Sequence, residues 1–241
     1  MKNKKAAQIE AKEKHLALIK AAKERKRGEP VLERTKPTKK EKPTILIVCE
    51  GMNTEPSYFE QFKLSLATIK TVGKGFNTIS LVKQAIALNK KGNYEKVWCV
   101  FDADPKPDNP KQTQNFNNAI KMATANGFGV AYSNQAFEYW LLLHFEDHQG
   151  GAMNRDRYEG KINSYINKLG ANYDGDGDKI VSEEFFELLM SIDAKTQTER
   201  VDLAIERAKR NYDKWSHRNP ANEESTTKVF ELVRELKSQI K

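Results

Sequence analysis

Two uninterrupted runs of apolar residues stand out in the first half of the chain. They are residues 45–49, with the sequence ILIVC, and residues 97–101, with the sequence VWCVF. Each run has the length of a strand and shows no alternation of apolar and polar positions. That pattern is typical of a central strand covered on both faces. The two runs therefore predict two buried parallel strands.

Segments with helical spacing of apolar residues lie between and after these runs. A helix is predicted from Thr54, interpreted as its capping residue, with Glu55 and Pro56 in the first turn. Weaker strand signals lie near residues 69–72 and 128–132. Further helices are predicted from Asn77 or Thr78, around residues 116–123, and over residues 135–145. The alternation predicts an α/β fold with a mostly parallel sheet and helices on both faces.

The pattern changes beyond Gly150, where helical segments follow one another and no strand is predicted. These segments cover residues 155–169, 182–191, 198–216 and 224–240. We expect them to form an extension that packs on the sheet. The predicted organisation is a basic helix and tail over 1–43, a catalytic domain over 44–150 and a helical extension over 151–241.

The positive charge of the chain is concentrated in its first 42 residues. The 241-residue sequence has a formal charge of +8, and residues 1–42 contain 15 basic and 6 acidic side chains. The remaining residues contain 26 basic and 27 acidic side chains. The excess charge therefore indicates no basic binding domain in the body of the protein. The tail is expected to be a solvated helix, or an arm that binds nucleic acid or a partner protein.

Several classes of protein are disfavoured by composition. No run approaches 18 apolar residues, so no membrane span is predicted. The charged N-terminal segment lacks the apolar core of a secretion signal, and we expect a cytoplasmic protein. Two cysteines, Cys49 and Cys99, are too few for a zinc ribbon or a disulfide framework.

Carboxylates follow both buried strands. Glu50 and Gly51 come after the first strand, and Asp102 and Asp104 come after the second. Sites in parallel sheets lie beyond the carboxyl ends of the strands. If the two strands are neighbours, these carboxylates converge there and repel one another. A ligand set made of oxygen atoms favours Mg²⁺ or Mn²⁺, which typically holds phosphate oxygens during attack on phosphorus. Ordinary surface turns with acidic residues are the alternative.

Glu138 is an independent candidate, because it stands alone in the apolar segment 136–143. A buried carboxylate is costly without a partner, although a surface glutamate in the first turn of a helix is also favourable. Together with Asn134, Glu138 is predicted at the rim of the site or as a further metal ligand. Lys74, in a glycine-containing turn, and Arg207, in a predicted surface helix, are weaker candidates for phosphate contacts.

Residues 172–183 look like a calcium-binding loop at first sight. The sequence has Gly177 and Glu183 at the required positions, but Lys179 occupies the position where an apolar residue is expected. We therefore prefer an acidic turn that leads into a helix capped by Ser182.

The same residues resemble a known family. Glu50-Gly51 after the first strand, with Asp102-x-Asp104 after a later one, resembles the Toprim catalytic fold, which topoisomerases, bacterial primases and several nucleases share. A longer, ordered and more specific set of segments is similar to RloB-like proteins over roughly residues 44–235. These segments are 45–51 (ILIVCEG), 54–55 (TE), 58–59 (YF), 98–102 (WCVFD), 133–134 (SN), 137–145 (FEYWLLLHF), 204–209 (AIERAK) and 225–227 (STT).

The resemblance implies a metal-dependent nuclease of bacterial phage-defence loci, encoded beside an AAA-type or ABC-type ATPase. Glu50 is then the Toprim glutamate, which binds metal or acts as a general acid–base, and Asp102 and Asp104 are metal ligands. The candidate substrate-binding residues are Gly51, Lys74, Asn134 and Arg207. Because the chain has no Walker motif, the partner would have to hydrolyse the nucleotide.

Two functions of different classes remain open at this point. One is a Toprim nuclease that acts on tRNA, other RNA or DNA. The other is a non-catalytic adaptor that uses the sheet as a scaffold and the tail as a binding arm. Topoisomerase and primase functions fit less well, because the chain lacks room for strand-passage domains and the cysteines of the usual primase zinc module. Homo-oligomer formation also remains open.

Overall fold

The computed structural model describes residues 10, 12–21, 23, 43–71, 78–103 and 110–240. The chain divides into two compact units, Met1–Glu41 and Lys42–Lys241. The described residues of the first unit are helical, as the composition of the tail predicts. Within this helix, Lys14 Nζ and Glu10 Oε1 form an ion pair of 3.0 Å.

The second unit is built around a five-stranded sheet. Its strands are β1 (Ile45–Cys49), β2 (Ala67–Thr71), β3 (Lys96–Asp102), β4 (Gly129–Asn134) and β5 (Thr226–Thr227). Their order is β2-β1-β3-β4-β5, with the first four parallel and β5 antiparallel to β4. Because β1 and β3 are direct neighbours, both carboxyl ends that carry acidic residues lie side by side.

Eight α-helices are described in this unit. They are α1 (Thr54–Glu60), α2 (Thr78–Gly92), α3 (Pro110–Ala125), α4 (Glu138–Leu142), α5 (Tyr158–Ile166), α6 (Glu183–Met190), α7 (Arg200–Tyr212) and α8 (Val229–Ile240). Short 3₁₀ turns occupy Arg155–Arg157, Asn167–Leu169 and Pro220–Asn222. As predicted, Ser182 caps α6, and its Oγ accepts the backbone N–H of Phe185 at 3.2 Å.

The sheet is covered on both faces, which explains why its strands have no polar alternation. On one face, Leu46, Val48 and Phe101 pack with apolar side chains of α2 and α3. On the other face, Ile45 and Ile47 pack with apolar residues of α1 and of the helices from α4 to α8. The fold is therefore α/β and consistent with a Toprim-like architecture, with the C-terminal helices packed on the sheet as predicted.

Three local predictions are wrong. The helix predicted over 224–240 begins at Val229, because Thr226 and Thr227 instead form β5 against the end of β4. The apolar helix predicted over 135–145 is limited to Glu138–Leu142. Thr54 is the first residue of α1 rather than its cap, and its Oγ1 lies 3.2 Å from the hydroxyl of Tyr173.

Candidate active site

Glu50 and Asp102 lie together at the carboxyl edge of the sheet. The backbone N–H of Glu50 donates to the carbonyl of Val100 at 2.9 Å, which continues the β1–β3 ladder by one residue. Asp102 is the last residue of β3. A cleft of about 250 Å³ opens beside them, lined by Glu50, Gly51, Glu55, Thr78, Asp102, Gln112 and Arg155. The predicted juxtaposition of these two carboxylates is therefore present, while Asp104 lies outside the described residues.

Glu55 is a member of this site that sequence reasoning missed. Glu55 is only 5% exposed, and its Oε1 accepts the backbone N–H of Gly51 at 3.3 Å. A Cβ atom on residue 51 would overlap this carboxylate, so a larger residue there would force the Glu55 side chain to move. The sequence contains one feature that could have pointed to Glu55: it is a second glutamate, five residues after Glu50, in the first turn of the next helix.

The electrostatics of the cleft show that its carboxylates interact. Burial, and then the neighbouring charges of Glu55, Glu138 and Glu50, raise the pKa of Asp102 well above its usual value. The Phe137 N–H, which donates to Asp102 Oδ2 at 3.1 Å, opposes this shift. Burial also raises the pKa of Glu55 from 4.5 to about 7, with Glu138 adding to the shift and Arg155 opposing it. The site is thus a cluster of carboxylates that resist simultaneous ionisation.

Glu138 lies near this cluster, because its charge contributes to the raised pKa of both Glu55 and Asp102. Its Oε1 accepts a hydrogen bond of 2.9 Å from the hydroxyl of the buried Tyr173. It also lines an adjoining cleft of about 300 Å³, with Arg155, Asp156, Glu159, Gly175, Asp176 and Lys179. Arg155 is common to both clefts, so an arginine of the helical extension borders the carboxylates of the sheet domain.

Replacing Tyr173 with phenylalanine should lower the free energy of unfolding by about 2 kcal/mol, because a buried hydroxyl bonded to a carboxylate is lost. Urea unfolding at neutral pH measures the change. The matched control is Tyr165→Phe, since the Tyr165 hydroxyl bonds Glu146 at 3.1 Å in an exposed setting. This control should cost less than about 1 kcal/mol, and equal losses in both variants would contradict a special role for Tyr173.

The other predicted substrate-binding residues have different surroundings. Asn134 is fully buried, and its Nδ2 donates to the carbonyls of Pro220 and Ala221 at 3.1 and 3.2 Å. Arg207 donates to the carbonyl of Leu143 at 2.8 Å. Neither side chain lines the two clefts, and their contact with substrate stays a prediction. Lys74 lies outside the described residues.

The loop that was compared with a calcium site uses two of its carboxylates within the loop. Asp174 Oδ1 accepts the N–H of Gly177 at 2.7 Å, and Asp178 Oδ1 accepts the N–H of Ile180 at 3.0 Å. Asp176 lines the adjoining cleft instead. Tyr173, at the start of this loop, is buried, and its hydroxyl reaches Glu138.

The donor set of the cleft fits a hard divalent cation in chemical type. It consists of carboxylate oxygens whose mutual repulsion a cation would relieve. Among the described residues, no three His, Cys, Asp or Glu side chains already form a group that could hold a metal ion. Asp104, predicted as a ligand, lies outside the described residues.

The fold and these carboxylates together define an α/β protein with an acidic cleft at the carboxyl ends of two adjacent parallel strands. The family model described as RloB-like protein matches residues 45–236, and the chain belongs to this family. The family resemblance noted in the sequence is therefore confirmed. Neither the curated proteins nor the solved structures contain a match. Within the described ranges, no helix is long and apolar enough to cross a membrane.

Proposed function

We propose that this protein is a Mg²⁺- or Mn²⁺-dependent nuclease that hydrolyses phosphodiester bonds in RNA or DNA. The observation that carries the proposal is the cluster of Glu50, Glu55, Asp102 and Glu138, in which burial and mutual repulsion raise the pKa values of Glu55 and Asp102. Structural carboxylates are rarely gathered in this way. Perturbed pKa values in a cleft are typical of functional sites.

Glu50 and Asp102, with Asp104, would hold the divalent ion. When bound, such an ion polarises the phosphate and lowers the pKa of a coordinated water. The Phe137 N–H donates to Oδ2 of Asp102 and helps to hold this carboxylate in place. The backbone of Glu50 is fixed by the β3 carbonyl of Val100. Both proposed metal ligands are therefore located at the ends of β-strands, which hold functional side chains more precisely than loops do.

Glu55 and Arg155 suit the two remaining tasks of the reaction, proton transfer and orientation of the phosphate. With its pKa near 7, the Glu55 carboxylate can accept a proton from water and release it again at neutral pH. Arg155 borders both clefts, where its guanidinium can orient a phosphate among side chains that would otherwise repel it. Glu138, held by Tyr173, closes the opposite side of the carboxylate cluster.

The family resemblance supports a biological context for this chemistry. We propose that the nuclease is a cytoplasmic effector of a bacterial anti-phage system, released to damage nucleic acid during abortive infection. An AAA-type or ABC-type ATPase would be its partner, because the chain itself has no Walker motif. An ATPase gene next to the gene for this protein would support that assignment.

The experiment that tests the function is a cleavage assay with the purified full-length chain. End-labelled tRNA, single-stranded DNA and duplex DNA are incubated with Mg²⁺, Mn²⁺ or EDTA. We expect cleavage of at least one substrate with either metal, and none with EDTA. Binding of these substrates without cleavage under every metal condition would contradict the proposal and favour the adaptor function.

A further inference from the structure

One tryptophan of this protein is placed differently from the other two. Trp98 and Trp140 are buried, whereas Trp215 is 41% exposed in the loop that follows α7. We call residues 213–219 the Trp215 loop. The indole ring of Trp215 therefore presents a large aromatic surface to solvent.

The Trp215 loop is held in place by its neighbours. The backbone N–H of Trp215 donates to the carbonyl of Tyr212 at 3.1 Å. The ring of His217 stacks on the ring of Tyr212, with centroids 3.8 Å apart and planes 10° from parallel. His217 Nδ1 also lies 3.0 Å from Oε2 of the buried Glu223. Because the loop is already ordered, a ligand that contacts Trp215 loses little conformational entropy.

The topology places this loop at the same edge of the sheet as the carboxylates. Pro220 follows the loop directly, and its carbonyl accepts a hydrogen bond from Asn134 at the end of β4. Strand β4 is the neighbour of β3, with Ser133 paired to Asp102. Adjacent strands are about 4.8 Å apart, and the five residues from Trp215 to Pro220 span at most about 17 Å. Pro220 therefore lies at the sheet edge that carries Asp102, and Trp215 is within this distance of Pro220.

Basic residues are frequent in the sequence around Trp215. Residues 206–218 contain five basic and two acidic residues, whereas the chain after residue 42 is nearly neutral. Within this stretch Lys209 pairs with Asp213 and Arg210 pairs with Asp147, so these two charges are already neutralised. Lys214 donates instead to neutral oxygens, the carbonyl of Gln149 at 2.7 Å and the amide oxygen of Asn211. Its charge, and that of the exposed Arg218, are complementary to phosphate.

We propose that Trp215 stacks on an unpaired base of a single-stranded nucleic acid, while Lys214 and Arg218 contact the adjacent phosphates. Base–aromatic stacking combined with basic side chains is the usual way to bind single strands without sequence preference. In a duplex the faces of the bases are already stacked, so this surface selects unpaired segments. The inference rests on the proposed nuclease function, because it names the form of nucleic acid that enters the cleft.

The tryptophan content allows a direct binding test. The full-length chain in EDTA, which prevents metal-dependent cleavage, is titrated with a single-stranded oligothymidylate while tryptophan emission is recorded. Stacking on Trp215 should quench the emission, and Trp215→Phe should remove the quenching while anisotropy of a labelled oligonucleotide still reports binding. Trp215→Ala should weaken binding by at least about fivefold.

Two comparisons separate stacking from charge attraction. An abasic oligonucleotide of the same length should bind the parent protein and Trp215→Ala equally, because it offers phosphates but no bases. The control Ile192→Ala removes an apolar side chain that is even more exposed from another loop, and it should bind like the parent. Circular dichroism of each variant checks that the fold is retained.

Quenching that persists in Trp215→Phe, or equal binding of parent and Trp215→Ala, would overturn the inference. No quenching by any oligonucleotide would also overturn it and would indicate a protein ligand for this loop. The outcome is separable from that of the proposed function. If the protein cleaves nucleic acid equally well with and without Trp215, the nuclease proposal stands and the stacking proposal fails. If binding depends on Trp215 but no metal-dependent cleavage occurs, the stacking proposal stands and the nuclease proposal fails.

Discussion

Replacing Asp102 with asparagine should abolish cleavage and at the same time make the metal-free protein more stable. The pKa of Asp102 is raised by burial and by neighbouring carboxylates, so its ionised form is unfavourable in the folded state. Asparagine removes that charge and keeps an oxygen that can accept from the Phe137 N–H. We expect a higher melting temperature in EDTA, and loss of the further increase that Mg²⁺ gives the parent. Differential scanning fluorimetry with and without Mg²⁺ measures both effects.

The control for this variant is Asp193→Asn. Asp193 Oδ1 accepts the backbone N–H groups of Lys195 and Thr196 at 3.0 Å, and these hydrogen bonds keep its pKa below the usual value. The same substitution there should lower stability and leave cleavage unchanged. If Asp102→Asn is instead less stable than the parent in EDTA, the carboxylate at position 102 is a structural group and not part of a strained cluster.

Replacing Glu55 with glutamine should stabilise the metal-free protein in a pH-dependent way. Folded Glu55 keeps its proton up to about pH 7, whereas an unfolded glutamate releases it near 4.5. The folded state therefore binds more protons between these values, and its stability falls as the pH rises through this window. At pH 8 the glutamine variant should be more stable than the parent by roughly 2–3 kcal/mol, and at pH 4 the two should converge. Urea unfolding at both pH values gives the difference.

Glu184→Gln provides the matched control. Hydrogen bonds from its own backbone N–H and from Ser182 lower the pKa of Glu184 at the start of α6, so its ionised form is favoured. This exposed variant should show no stabilisation at pH 8. A pH-independent effect of Glu55→Gln would contradict the burial of an ionisable group in the cleft. Addition of Mg²⁺ at pH 8 should stabilise the parent more than the glutamine variant, because the ion offsets the carboxylate charge.

The central part of the fold could be predicted because its signals are local. The apolar runs over 45–49 and 97–101 differ from β1 and β3 by no more than one residue at either end, and their acidic endings occupy the same sheet edge. A strand covered on both faces needs continuous apolar sequence whatever its neighbours are. The sequence therefore predicts that Glu50 and Asp102 lie close together if the two strands are neighbours, and the pairing of β1 with β3 meets that condition.

The parts that could not be predicted depend on contacts distant in sequence. Strand β5 has only two residues, and it is stabilised by pairing such as the 2.9 Å contact between the hydroxyls of Thr227 and Ser133. Within a helical pattern, two threonines give no separate strand signal. The same limit applies to the site, because Tyr173 and Arg155 reach it from the helical extension. Their sequence surroundings are those of ordinary loop residues.

The role of Glu55 could not be predicted from the sequence for a different reason. Its position in the first turn of a helix is where an exposed glutamate is commonly found, because the helix dipole favours it there. In the folded protein this carboxylate is instead buried at the cleft, next to the backbone N–H of Gly51. The position of Glu55 in a helix gave no sign of this role, since burial is a property of the tertiary fold.

The most direct test of the account compares cleavage by the parent chain and by Glu50→Gln at saturating Mg²⁺. A fluorescent single-stranded RNA or DNA substrate is used under single-turnover conditions, and circular dichroism confirms that both proteins are folded. Removing a ligand from a catalytic metal costs several kcal/mol of transition-state stabilisation, so we expect the variant to be slower by roughly a thousandfold. A Glu50→Gln protein that cleaves as fast as the parent would contradict the assignment of this cleft as the active site.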